Sequence, residues 1–266
     1  MRTSLAWYAL AVALVFAYVN TFAVWQLLQL RFGSGAALVP WLLAAVLAIG
    51  IVAIWRRGLR HGTVSPSLLL AALVVALAGM LLADPDYPAK RVHVPQYAVL
   101  AAVIWAALRP HVAAGRLAVL TILVGGLFGV HDEFLQGLHG DRTFGTRDMA
   151  VNLCGGIAGT FALAALTGRR VFTAEAVALP ATVISGGLMS AVGLALYVAA
   201  LAGLHAQPIP YWTTLPLLAG VFALACALVH DDTAADLRHA GTVVALLLIV
   251  LSFYPIVANE TPLDFA

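Results

Sequence analysis

Charge is what this chain has least of. Only 10% of its 266 residues are Asp, Glu, Lys or Arg, while 63% are hydrophobic and the mean hydropathy is +0.99. Water-soluble domains carry roughly 25% charged residues, and a soluble fold of this length has no interior large enough for so much apolar surface. A soluble globular enzyme is therefore excluded. The net charge of +2 is too small to hold a polyanion, so no nucleic-acid partner is expected. Cysteine is scarce too. Cys154 and Cys226 both lie inside apolar runs, without the spacing of a disulfide or a metal pair, and read as small hydrophobes. There is no glycine-rich phosphate loop, no nucleophile elbow and no haem-ligand pair. Nucleotide hydrolysis and ordinary acyl transfer are without support, and neither cofactor nor metal is expected.

What the chain does have is long apolar runs. About nine approach the ~18 to 20 residues that cross a hydrocarbon core of ~30 Å. They cover 5–28, 36–55, 67–83, 93–108, 117–138, 148–166, 179–204, 211–229 and 241–257, with the third and fourth short enough to be tilted or merged. In lipid such runs must be helical, because only a helix pairs its own backbone groups internally. The expected fold is all-α, a polytopic transmembrane bundle. Arg2 before the first run resembles the start of a signal peptide, but the run is too long and lacks a clear small-residue cleavage site, so it reads as a retained helix. The breaks fall where turn chemistry predicts, at Phe32–Gly35, Asp84–Pro88, Arg109–Pro110, Gln207–Pro210 and Asp231–Asp232.

Basic residues orient the bundle. With the N-terminus inside, nine Lys and Arg (Arg2, Arg56, Arg57, Arg60, Arg109, Arg116, Arg169, Arg170 and Arg238) fall on the cytoplasmic side and five (Arg31, Lys90, Arg91, Arg142 and Arg147) outside. An odd number of spans then puts the C-terminus outside.

Charge is also unevenly spread. Asp84–Asp148 is about a quarter of the length yet holds twelve of the 26 charged residues. Within it, Asp132 and Glu133 interrupt the apolar fifth run. A carboxylate at the helix centre costs ~2.5 to 3.5 kcal/mol on insertion scales, so intramembrane acids are functional candidates by default. Helical spacing groups their neighbours. Gly125, Gly129, Asp132 and Gln136 share one face of the fifth span; Asp148, Asn152, Gly155 and Gly159 share one face of the sixth. Small residues at this spacing let helix backbones approach in lipid. The short loop between these spans makes them antiparallel neighbours, with the polar ends together outside and the glycine ends below. That loop adds His139, Asp141, Arg142 and Arg147. Glu133, rotated about 100° from Asp132, is expected to face a third helix. The fourth span is the candidate, since it enters with Lys90, Arg91, His93, Gln96 and Tyr97.

This pattern resembles the VanZ-like family of bacterial membrane proteins, whose best-known members give low-level teicoplanin resistance. The matching positions are Lys90, His93 and Tyr97, then Asp132, Glu133 and Gln136 as D-E-x-x-Q, then Arg142, Asp148, Asn152, Gly155 and Gly159 at the family's offsets. Gln96 stands where the family usually has an acid and Ala89 where an aspartate often precedes the lysine. The resemblance covers residues 67–166, leaving N-terminal helices in 1–66 and C-terminal helices in 167–266. It implies a bacterial cytoplasmic membrane and a role in the cell envelope; it implies no settled reaction.

Simpler readings stand beside these. Asp148 in a helix's first turn stabilises the dipole. Arg142 reads equally as a clasp for Asp148 or Asp132, and the acids as structural groups held by Arg142 and His93. The four glycines read most simply as packing. His131 and His139 are eight apart, too far for one helical metal pair. His61, His111, His205, His230 and His239 lie at span ends, where solvation is expected.

Three function classes fit the residues. The favoured one is a protein that binds or modifies an anionic lipid or lipid-linked envelope precursor. Lys90, Arg91 and Arg142 would hold phosphate or carboxylate, His93, Gln96, Tyr97, Gln136, Asp148 and Asn152 would line the site, and Asp132 or Glu133 would serve as acid or base. The second is a non-catalytic scaffold or accessory subunit for membrane-protein partners. The third, a small transporter, lacks a polar path through the remaining spans.

Overall fold

The computed structural model describes residues 2–59, 65–138, 145–167, 179–204, 207–230 and 237–260, and among them it is all α-helical with no strand. The helices are α1 (Arg2–Val19), α2 (Thr21–Phe32), α3 (Val39–Leu59), α4 (Pro66–Leu82), α5 (His93–Leu108), α6 (Ala114–Gly137), α7 (Thr146–Thr167), α8 (Ala181–Ala202), α9 (Leu215–His230), α10 (Arg238–Ser252) and α11 (Tyr254–Glu260). Short 3-10 segments at Gly33–Leu38, Pro88–Val92 and Tyr211–Thr214 lead into α3, α5 and α9. Among the described residues seven helical stretches are long and apolar enough to cross a membrane, with Thr3–Val19 and Pro66–Leu82 as shorter apolar helices. Leu30, Val46, Ile49, Leu70 and Leu81 are exposed, as are Leu188, Val192, Phe222 and Val229. Apolar faces of this extent suit lipid and not water. The chain is an α-helical membrane protein.

The first apolar run is not one helix. It breaks at Asn20, whose backbone leaves helical geometry (φ −86°, ψ 0°) and whose side-chain amide turns back to the Phe16 carbonyl at 2.7 Å. An Asn side chain that bonds the local backbone competes with the helix ladder.

The described chain falls into two compact units: Met1–Pro110, Ala114–Asp132 and Thr146–Thr173 in the first; His111–Ala113, Glu133–Gly145 and Ala174–Ala266 in the second. The N-terminal helices thus belong to the same unit as α4, α5, α7 and most of α6. In this unit α7 packs against both α4 and α5, and glycine sets how closely. A Cβ at Gly155 would lie 2.6 Å from the Val94 carbonyl oxygen, one at Gly159 2.6 Å from Ala98 Cα, and one at Gly79 2.7 Å from Cys154 Cβ. α6 meets α5 at Gly125 and α7 at Gly126 and Gly129. The expectation that Gly155 and Gly159 close the fifth span against the sixth is corrected here. They abut α5, and on α7 it is Asn152 that faces Gly129.

In the second unit α8 packs on α9 through Gly186, Gly193 and Gly220, with Ser190 Oγ donating to the Gly220 carbonyl at 2.8 Å. Phe134 lies among Tyr197 and Tyr254, at ring distances of 6.0 and 4.4 Å. His111, expected to be solvated, is stacked on His239 at 3.9 Å. His230, also expected in solvent, is exposed and bonds the Cys226 carbonyl. His61 and His205 lie outside the described residues.

Candidate functional site

Five helix ends meet at one level of the first unit. α1 and α4 arrive with their C-termini, α6 brings Asp132 near its own, and α5 and α7 begin there. Two helix N-termini carry positive dipole ends to this level, which favours carboxylates. Two carboxylates are present, Asp132 and Asp148, both buried.

Each acid faces a cation or histidine. Lys90 Nζ lies 2.7 Å from Asp148 Oδ2, and its side chain remains 30% exposed while that of Asp148 is 3% exposed. The Tyr87 ring sits beneath the same ammonium, 5.5 Å away. His93, the first residue of α5, places Nδ1 3.8 Å from Asp132 Oδ2, with both side chains buried. That separation exceeds a hydrogen bond, and charge holds the pair when the imidazole is protonated. Asp148 Oδ1 is buried without a hydrogen-bond partner among the described residues.

Two further polar side chains brace the turn that carries the acids. Tyr97 Oη donates to the Phe128 carbonyl at 3.3 Å, and Asn152 Nδ2 to the Gly129 carbonyl at 3.5 Å. In an α-helix these carbonyls accept from the amides four residues on, those of Asp132 and Glu133. Tyr97 and Asn152 therefore bond the same peptide groups that set the positions of both acids. Met80, Ala83, Val94 and Val151 form an apolar cluster in the same unit.

The basic residues divide by role. Arg91 Nε donates to the Met80 carbonyl, and Arg147 donates to those of Leu82 and Ala83. All three carbonyls lie at the C-terminal end of α4, where the helix leaves acceptors unsatisfied and cations are favoured. Lys90 is the cation placed on a buried acid. Arg142, His139 and Asp141 lie outside the described residues.

The acid that the structure places by His93 is Asp132. Glu133 was expected to face the helix that starts with Lys90 and His93. Glu133 belongs to the second unit, is fully buried, and accepts the Gly145 amide at 3.3 Å. Gln136 is in that unit too, 3% exposed, its Nε2 without a hydrogen-bond partner among the described residues. Among the described residues no group of three His, Cys, Asp or Glu is placed to hold a metal.

Two site neighbours escaped sequence reading. Tyr18 Oη donates to the Gln96 carbonyl at 2.9 Å, and Gln96 Nε2 donates to Thr21 Oγ1 at 2.8 Å. Both partners come from the N-terminal helices, where a Tyr and a Thr in an apolar run carry no signal of their own.

Comparison with family models, curated proteins and solved structures finds no match for this chain.

Proposed function

We propose that this is a VanZ-like protein of the bacterial cytoplasmic membrane. Its polar layer opens toward the outer face and binds, with proton transfer to or from the ligand, an anionic lipid or lipid-linked envelope precursor. The observation that carries this reading is the pairing of two buried acids with Lys90 and His93 at one level of one unit. Buried charge at a membrane level is costly, and packing alone does not require it, since Gly155 and Gly159 already join α5 to α7. The part-exposed Lys90 ammonium supplies the contact for phosphate. The buried His93–Asp132 pair sets a carboxylate beside an imidazole, two groups able to exchange a proton with a ligand.

The test is lipid retention by the purified protein in phosphatidylcholine nanodiscs doped with phosphatidylglycerol or a polyprenyl phosphate, read by native mass spectrometry. Wild type should retain an anionic lipid over phosphatidylcholine, and Lys90→Met should lose that preference. Equal retention by both proteins would sink the reading.

A scaffold role is the second reading. It is favoured by Arg91 and Arg147, whose contacts are with the carbonyls at the end of α4. It predicts no lipid preference, and a loss of folded protein that follows each variant's stability.

A further inference from the structure

We propose that Tyr18, on a helix outside the family-like core, is a positioning residue of the Asp132–His93 pair, acting through Gln96. The inference rests on the reading of that pair as the working centre, but it stands on its own contacts. Gln96 is held twice from the N-terminal helices, on its carbonyl by Tyr18 Oη at 2.9 Å and on its amide by Thr21 Oγ1 at 2.8 Å. Tyr18 and Thr21 lie on either side of the break at Asn20. His93 and Gln96 are three positions apart on α5, about one helical turn.

The grip falls where it matters for His93. Gln96 is one turn after His93, so moving the first turn of α5 moves the imidazole against Asp132. The Tyr18 ring also lies 5.9 Å from that of Tyr97, which is bonded to the Phe128 carbonyl and sits 6.5 Å from His93. Tyr18 thus reaches both helices that carry the pair, α5 directly and α6 through Tyr97. The N-terminal helices are therefore part of the centre's construction.

The closing experiment reads His93 itself. The full chain, labelled with 15N-histidine and reconstituted in lipid bilayers, is measured by solid-state NMR, with the His93 ring signals assigned by their loss in His93→Gln. Tyr18→Phe removes one hydroxyl and keeps the ring. It should shift the His93 Nδ1 signal and change the pH at which it titrates, while Thr182→Val, a hydroxyl loss in the second unit, should shift neither. Unchanged His93 signals in a folded Tyr18→Phe protein would overturn the proposal, even if its melting temperature fell, because a plain strut predicts only that fall. Should Tyr18→Phe fail to accumulate, Thr21→Val cuts the other bond to Gln96, and unchanged His93 signals there would overturn it equally. Neither readout involves lipid. Loss of lipid preference as a property of wild type would remove the functional reading and leave the Tyr18 result standing.

Discussion

Asn152 donates its amide to the Gly129 carbonyl across 3.5 Å, at a point where a Cβ on residue 129 would come 3.1 Å from Asn152 Cβ. The bond and the missing side chain are one feature, since the polar reach of α7 onto α6 needs the close approach that glycine permits. The same layer holds Lys90 on Asp148 and His93 by Asp132. The first unit therefore joins helices by glycine contacts and by polar contacts at the same level, and the two can be separated by substitution.

Glycine contacts should grade by what a methyl group meets. Gly155→Ala and Gly159→Ala drive a Cβ into α5 backbone, which cannot swing aside. Each should cost about 1–3 kcal/mol, the usual range for overpacking. Gly129→Ala meets a side-chain carbon at 3.1 Å and should cost less. Gly156→Ala meets nothing within 4 Å and should be neutral or stabilising by up to about 1 kcal/mol through helix propensity. Thermal unfolding of the four variants in one detergent checks the order. A Gly156→Ala protein less stable than Gly155→Ala would contradict the α5–α7 contact.

The Lys90–Asp148 pair should show the asymmetry of a partly buried ion pair. Lys90→Met strands a buried carboxylate and should destabilise by about 2 kcal/mol, below the ~3 to 5 kcal/mol of a fully buried pair because the ammonium is part exposed. Asp148→Asn leaves the lysine free to turn to water and should cost less. The double variant should be more stable than Lys90→Met alone. A double-mutant cycle with zero coupling energy would show that the two do not interact.

Neutralising the acids should separate function from structure. Asp132→Asn and Glu133→Gln keep shape and an acceptor oxygen, which for Glu133 can still take the Gly145 amide. If the acids work by proton transfer, melting temperature should hold or rise, since neutralised sites are often relieved of strain, while the envelope phenotype (glycopeptide susceptibility where the host shows it) is lost. Melting that falls, with a phenotype that follows protein abundance, is the outcome the scaffold reading requires.

Orientation has a direct test. Tyr87 is exposed in the connection before α5, and Pro110 is exposed after it. In a background without Cys154 and Cys226, Tyr87→Cys should react with an impermeant maleimide on intact cells and Pro110→Cys only after lysis. The reverse pattern would invert the arrangement.

The sequence alone determined that this chain is helical and belongs in a membrane, because few charges and long apolar runs leave no other way to satisfy the backbone in lipid. It also determined which residues share a helix face. Asp148, Asn152, Gly155 and Gly159 recur at helical spacing, and the structure finds each of them in a close inter-helix contact. What the tertiary structure decided is which neighbour each face meets. Gly155 and Gly159 meet α5, Asp132 meets His93, Arg91 and Arg147 bind the end of α4, and Tyr18 arrives from a helix with no motif at all. The reason is physical. Periodicity along one helix defines a direction around its axis but not the helix that fills it, and in lipid a face turned outward is as apolar as one turned inward. Only where backbones come close enough for a glycine contact or a polar side chain to reach across is the partner selected.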